Sequence, residues 1–80
     1  MRATVLVRPK QGILDPQGDA VQRSLRKLGF DVSTARVGRV IDIELEADDA
    51  AGARAAVERM SADLLANPLI ESFEIQIEES

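Results

Sequence analysis

An 80-residue chain that is 45% apolar and 30% charged has the composition of one small folded domain with a thin core, not of a disordered segment. Ten basic and fourteen acidic residues leave a net charge of −4, which argues against the basic face a nucleic-acid binder needs. With no Cys, His, Tyr or Trp, the chain lacks a thiolate nucleophile, the usual neutral-pH base and the commonest metal ligand, and a reducing compartment suits it. The opening run Met1–Arg8 is too short and too soon interrupted by charge for a signal peptide, and no apolar run approaches the ~20 residues that cross a bilayer. The expectation is a soluble, cytoplasmic protein with no membrane partner.

Residues 2–8 alternate, with Ala3, Val5 and Val7 on one side and Thr4, Leu6 and Arg8 on the other, which predicts a strand. Pro9 ends it, and Lys10 to Leu14 form a loop around Gly12. The joint Leu14-Asp15-Pro16-Gln17-Gly18 then starts a helix. Asp15 is suited to accept from orphan backbone donors, and Pro16 falls at the first helical position, where its missing N–H costs nothing. Val21, Leu25 and Leu28 make an apolar stripe, and Gly29 follows as a residue able to take the left-handed conformation.

Phe30 to Val37 predicts a short edge strand, and Val37-Gly38-Arg39 a tight turn. Val40 to Glu46 returns as the clearest strand, with Ile41, Ile43 and Leu45 facing the core and Asp42, Glu44 and Glu46 facing out. Asp48 and Asp49 open a second helix of roughly four turns, striped by Ala50, Ala53, Val57, Met60 and Leu64. Asn67 is placed to take the position after its end, and Pro68 stops it. Ile70 to Glu78 is the last strand, with Phe73, Ile75 and Ile77 inward. The order β-α-β-β-α-β predicts one ferredoxin-like domain over residues 1–80, in which a four-stranded antiparallel sheet carries both helices on one face. The other face, with Thr4, Leu6, Val40, Asp42 and Glu44, is either solvated or an association surface.

Chemistry is sparse. Ser24, Ser33, Ser61 and Ser72 have no motif that supplies a base, and Asp42, Glu44 and Glu46 read as a solvated strand face. Arg8, Lys10 and the helix start at Pro16 would suit an anion, but Asp15 already occupies the cap and Gly12 and Gly18 make no phosphate loop. An RNA-recognition motif needs exposed aromatics on central strands, whereas Phe30 and Phe73 both read as core. A regulatory domain like the ACT domains, binding a small molecule largely through backbone, stays open. The residues alone point to a binding or scaffolding domain with no catalytic site, cofactor site or metal site of its own.

Five stretches occur in order along the chain: Val7-Arg8-Pro9-Lys10, Gly12-Ile13-Leu14-Asp15-Pro16-Gln17-Gly18, Leu28-Gly29-Phe30, Val37-Gly38-Arg39, and Leu64-Leu65-Ala66-Asn67-Pro68-Leu69-Ile70-Glu71. Together they resemble PurS, the family of small subunits of bacterial and archaeal phosphoribosylformylglycinamidine synthase. The Asp-Pro-Gln-Gly joint and the Leu-Ala-Asn-Pro-x-Ile-Glu ending are the most specific parts, and Gly-Arg stands where Gly-Lys is common in the family. The resemblance implies a non-catalytic subunit of an ATP-dependent ligase that aminates formylglycinamide ribonucleotide with glutamine-derived ammonia. It implies a large synthetase subunit that uses ATP and magnesium, a glutaminase subunit, and a homodimer or tetramer formed by the small subunit itself. Candidate partner-contact residues are Arg8, Lys10, Asp15, Gly38, Arg39 and Asn67.

Overall fold

The computed structural model of the protein describes residues 1–78. Three strands, β1 (Arg2–Pro9), β2 (Arg39–Glu44) and β3 (Glu71–Glu78), form an antiparallel sheet in the order β2-β1-β3. The predicted alternation holds: Val5 lies between Ile41 and Ile75, and Ala3 between Ile43 and Ile77. Even-numbered residues of β1 face the other way, where Thr4 Oγ1 donates to Asp42 Oδ1 at 3.0 Å and Arg2 meets Glu44 at 3.2 Å.

Helix α2 (Ala50–Met60) packs on β1 and β3 and closes the core. Asp49 caps it, accepting from the Gly52 N–H at 2.7 Å. Ala53 and Val57 are fully buried, Val57 in the core with Ala3, Val5, Val7 and Ile75. Beyond Met60 the helix continues as one π-helical turn, Ser61–Leu65. The extra residue in that turn advances the apolar stripe by one position. Ser61, Leu65 and Ala66 turn inward, while Leu64, expected in the stripe, is 82% exposed and Met60 lies at the surface. Asn67 does not take the left-handed position expected of it, since no residue other than glycine has positive φ among the described residues. The chain leaves the turn through an extended Ala66 instead.

The four-stranded prediction fails at the segment 30–38. Among the described residues the sheet has three strands, and Phe30–Val37 joins no ladder: the Val32 N–H donates to Phe30 O in a tight turn and the chain bends at Ser33. A two-residue hairpin turn at Val37-Gly38-Arg39 would need positive φ, and the positive-φ glycines of the described residues are Gly12 and Gly29. Gly38 leads into β2 without such a turn, and the segment before it does not return along the sheet. Phe30, expected in the core, is consequently exposed.

Helix α1 (Pro16–Lys27) goes with that segment. Its start and end are as expected: Asp15 accepts from the Gly18 N–H at 3.0 Å, and Gly29 at φ 97° closes the end. There the Phe30 N–H donates to Leu25 O and the Gly29 N–H to Arg26 O, the paired bonds of a Schellman cap. The expected place on the sheet is not taken. The buried residue of α1 is Gly18, and Val21 and Leu28 of its stripe are exposed. Arg26 holds the returning segment to the helix through Val32 O at 2.8 Å and Ser33 O at 3.2 Å. Residues 16–38 thus form an arm, and the molecule measures 50 × 27 × 14 Å. Its radius of gyration of 15.8 Å exceeds the roughly 12 Å of a compact domain of this length.

Candidate assembly site at one end of the sheet

The six candidate residues come from distant parts of the sequence, and the fold gathers them where β1 ends and β2 and β3 begin. Arg39 is the hub. Its register partner is the inward-facing Val7, so its side chain lies on the helix-bearing side and crosses the end of β1. There it makes a two-pronged pair with Glu71, at 2.6 and 3.0 Å, and donates to Leu65 O at the end of the π-helical turn. Glu71 also accepts from the Asn67 N–H at 2.7 Å. The pairing with Arg39, then the Asn67 amide, holds the Glu71 carboxyl below its ordinary value, and the bond to Glu71 raises Arg39 above its own.

Asn67 organises the loop before β3. Its Oδ1 accepts from the Leu69 N–H at 3.1 Å and its carbonyl from the amides of Ile70 and Glu71. Lys10 reaches the same loop from the far end of β1, donating through Nζ to Pro68 O at 2.7 Å. Arg8 faces away from the helices and pairs with Glu74 at 3.5 Å, both well exposed.

Asp15 does more than cap. While Oδ1 accepts from Gly18, Oδ2 accepts from the Val37 N–H at 2.9 Å, pinning the two ends of the arm together. The Val37 bond, then the Gly18 bond, pulls its pKa below the ordinary value. Next to it Gly38 passes so close to β1 that a Cβ there would stand 2.1 Å from Val7 O, so the base of the arm tolerates no side chain at that position.

Two open grooves flank this cluster. One, of about 470 Å³, lies between the ends of β1 and β2 and is lined by Leu6, Arg8, Arg36, Gly38 and Val40. The other, of about 250 Å³, runs from Ile13 and Leu14 past Asp15 to Ile70 and Glu71. Sequence reasoning missed Arg36, which has no distinguishing neighbours. It also passed over Glu71, whose role depends on a partner 32 residues away. All six candidates thus have intramolecular work in building this end of the molecule. Among the described residues no group of three or more acidic, His or Cys side chains is arranged to hold a metal ion, and no helix is long and apolar enough to cross a membrane.

The sequence model of the family described as PurS, phosphoribosylformylglycinamidine (FGAM) synthase, matches residues 2–79. The FGAM synthase subunit PurS of Methanocaldococcus jannaschii is 40% identical over 78 residues, covering 96% of this chain and 94% of that protein. The Synechocystis PurS subunit is 44% identical over 77 residues, 95% of this chain and 75% of that one. In structure, the M. jannaschii PurS crystal structure superposes with a TM-score of 0.88 at 39% identity, covering 99% and 96% of the two chains. A chain of the PurLQS structure from Thermotoga maritima superposes with a TM-score of 0.86 at 30% identity, covering 94% and 93%. Matched nearly end to end in both sequence and fold, the chain belongs to the PurS family of phosphoribosylformylglycinamidine synthase.

Proposed function

We propose that the chain is the non-catalytic small subunit of FGAM synthase in purine biosynthesis, working in the cytoplasm. It holds the large synthetase subunit and the glutaminase subunit together so that glutamine-derived ammonia reaches formylglycinamide ribonucleotide. ATP and magnesium are used by the large subunit and not by this chain. The observation that carries the reading is the end-to-end likeness to a chain of a PurLQS assembly. The clustered end of the sheet supports it: Arg8, Lys10, Asp15, Gly38, Arg39 and Asn67 build a rigid, charged corner beside two open grooves, which is a surface fit for a protein partner. The chain also associates with itself as a dimer or tetramer, a reading supported by the exposed apolar residues of its arm.

Reconstitution tests the role. The large synthetase and glutaminase subunits from the same source are mixed with and without this chain, and glutamine-dependent amination of formylglycinamide ribonucleotide is followed. Activity and a co-eluting complex that require the chain are expected. Full activity without it would overturn the role, and a thermal-shift screen against amino acids would then test an ACT-like ligand.

A further inference from the structure

We infer that the Arg39–Glu71 pair is a latch that sets the register of the end of the second helix. Closed, it holds Ser61–Leu65 as a π-helical turn with Leu65 inward. Opened, it lets the turn rewind as α-helix, and Leu64 takes the inward place. The inference concerns the chain by itself and goes beyond the assembly role above without depending on it.

The two registers bury nearly the same surface. Leu64 stands about two α-helical turns beyond Val57, the last buried residue of α2, so an α-helix carried on through Ser61 turns Leu64 to the sheet. The π-helical turn presents Leu65 instead, packed against the core, and leaves Leu64 82% exposed. The two side chains are identical, so exchanging one for the other changes little apolar burial. Ala66, buried in the present register, adds a single methyl group in its favour. Against it stands a disturbed helix. The Ser61 N–H is shared between Val57 O and Glu58 O, and the Ser61 hydroxyl, fully buried, has no hydrogen-bond partner among the described residues.

What decides between the registers is polar and comes from outside the helix. The two-pronged pair with Glu71 fixes the Arg39 guanidinium where it donates to Leu65 O, and Glu71 accepts from the Asn67 N–H two residues further on. A change of register turns Leu65 by about 100° around the helix axis and takes its carbonyl off the guanidinium. Residues 67–70 are all exposed, so the loop before β3 has room to take up the slip. Arg39 is itself half-exposed and lines both open grooves, so the latch can be reached from outside. A packed element with two discrete arrangements, biased by one ion pair, is a conformational switch.

Methyl NMR of the full chain reads the register directly. In the parent, nuclear Overhauser contacts are expected to connect Leu65, and not Leu64, to the buried core valines. R39M keeps an unbranched stem and removes every donor, and in it those contacts are expected to pass to Leu64. E71A opens the latch from the other side and is expected to do the same. Either variant, folded and with the contacts still on Leu65, overturns the latch. So does failure of both to fold, which would make the pair a support of the whole fold and not of one register. R8M, which breaks the exposed Arg8–Glu74 pair at the same end of the sheet, is expected to leave the contacts on Leu65. A swap in R8M as well would mean that any lost charge at this end moves the turn, and would overturn the specific role of Arg39 and Glu71.

Discussion

Asp15 shows how one carboxylate can serve two elements at once. A capping aspartate elsewhere in the chain, Asp49, has the single bond to Gly52, and D49A is expected to cost about 1 kcal/mol in denaturant melts. D15A removes the cap and the tie to Val37 together. It is expected to speed amide hydrogen exchange at Gly18 and at Val37, one on α1 and the other on the segment that returns to β2. Exchange that quickens at Gly18 alone would show that the second bond holds nothing. Acid has a similar reach. Asp15 and Glu71 both titrate below their ordinary values of 3.8 and 4.5, so each stabilises the folded chain fully above those values and ceases to as pH falls through its lowered pKa. Thermal midpoints are therefore expected to stay level from neutral pH to about 5 and to fall steadily below about 4, with a shallower fall in E71Q.

At the scale of the element, the π-helical turn makes the sharpest test. Leu64 and Leu65 are neighbours of identical composition, and a continuous α-helix would turn Leu64 inward. The structure reverses their roles. L64A is expected to change stability by no more than about 0.5 kcal/mol, and L65A to cost about 1–2 kcal/mol, as denaturant melts would show. A larger cost for L64A than for L65A would mean that the helix continues unbroken. The slip was not legible in the sequence, because spacings of three and four describe a helix only while each turn adds the same rotation. Elements governed by near neighbours were legible: β1 and β3 from strict alternation, and both helix starts from Asp15-Pro16 and Asp49. The residues of the corner were legible as motifs, but their gathering was not. Arg39 meets Glu71, and Asp15 meets Val37, across 32 and 22 residues of chain. The strand expected at 30–37 failed for a related reason. Its pattern suits an edge, but a strand also needs a neighbour, and without a hairpin turn at Gly38 the segment does not pair with β2.

For the molecule as a whole, a core of small side chains and an arm with exposed Leu28 and Phe30 leave an isolated copy weakly held. Self-association of the kind proposed above would couple folding to concentration. The thermal midpoint is expected to rise as total chain concentration is raised from micromolar to hundreds of micromolar, read by circular dichroism because the chain lacks Trp and Tyr. A midpoint unmoved by concentration would mean that the copies fold and melt alone.

The 14 Å thickness has a bearing on traffic. A body one sheet and one helix deep is filled through its middle by Ala3, Val5, Val7 and Val57, each at most 1% exposed. Among the described residues these buried side chains leave no lumen between the sheet and α2 along which a small polar solute could travel. In the assembly proposed above, ammonia leaving the glutaminase would therefore pass beside this subunit and not through it. Substitutions in its core would then be felt as loss of folded protein, without leakage of ammonia from an otherwise intact complex.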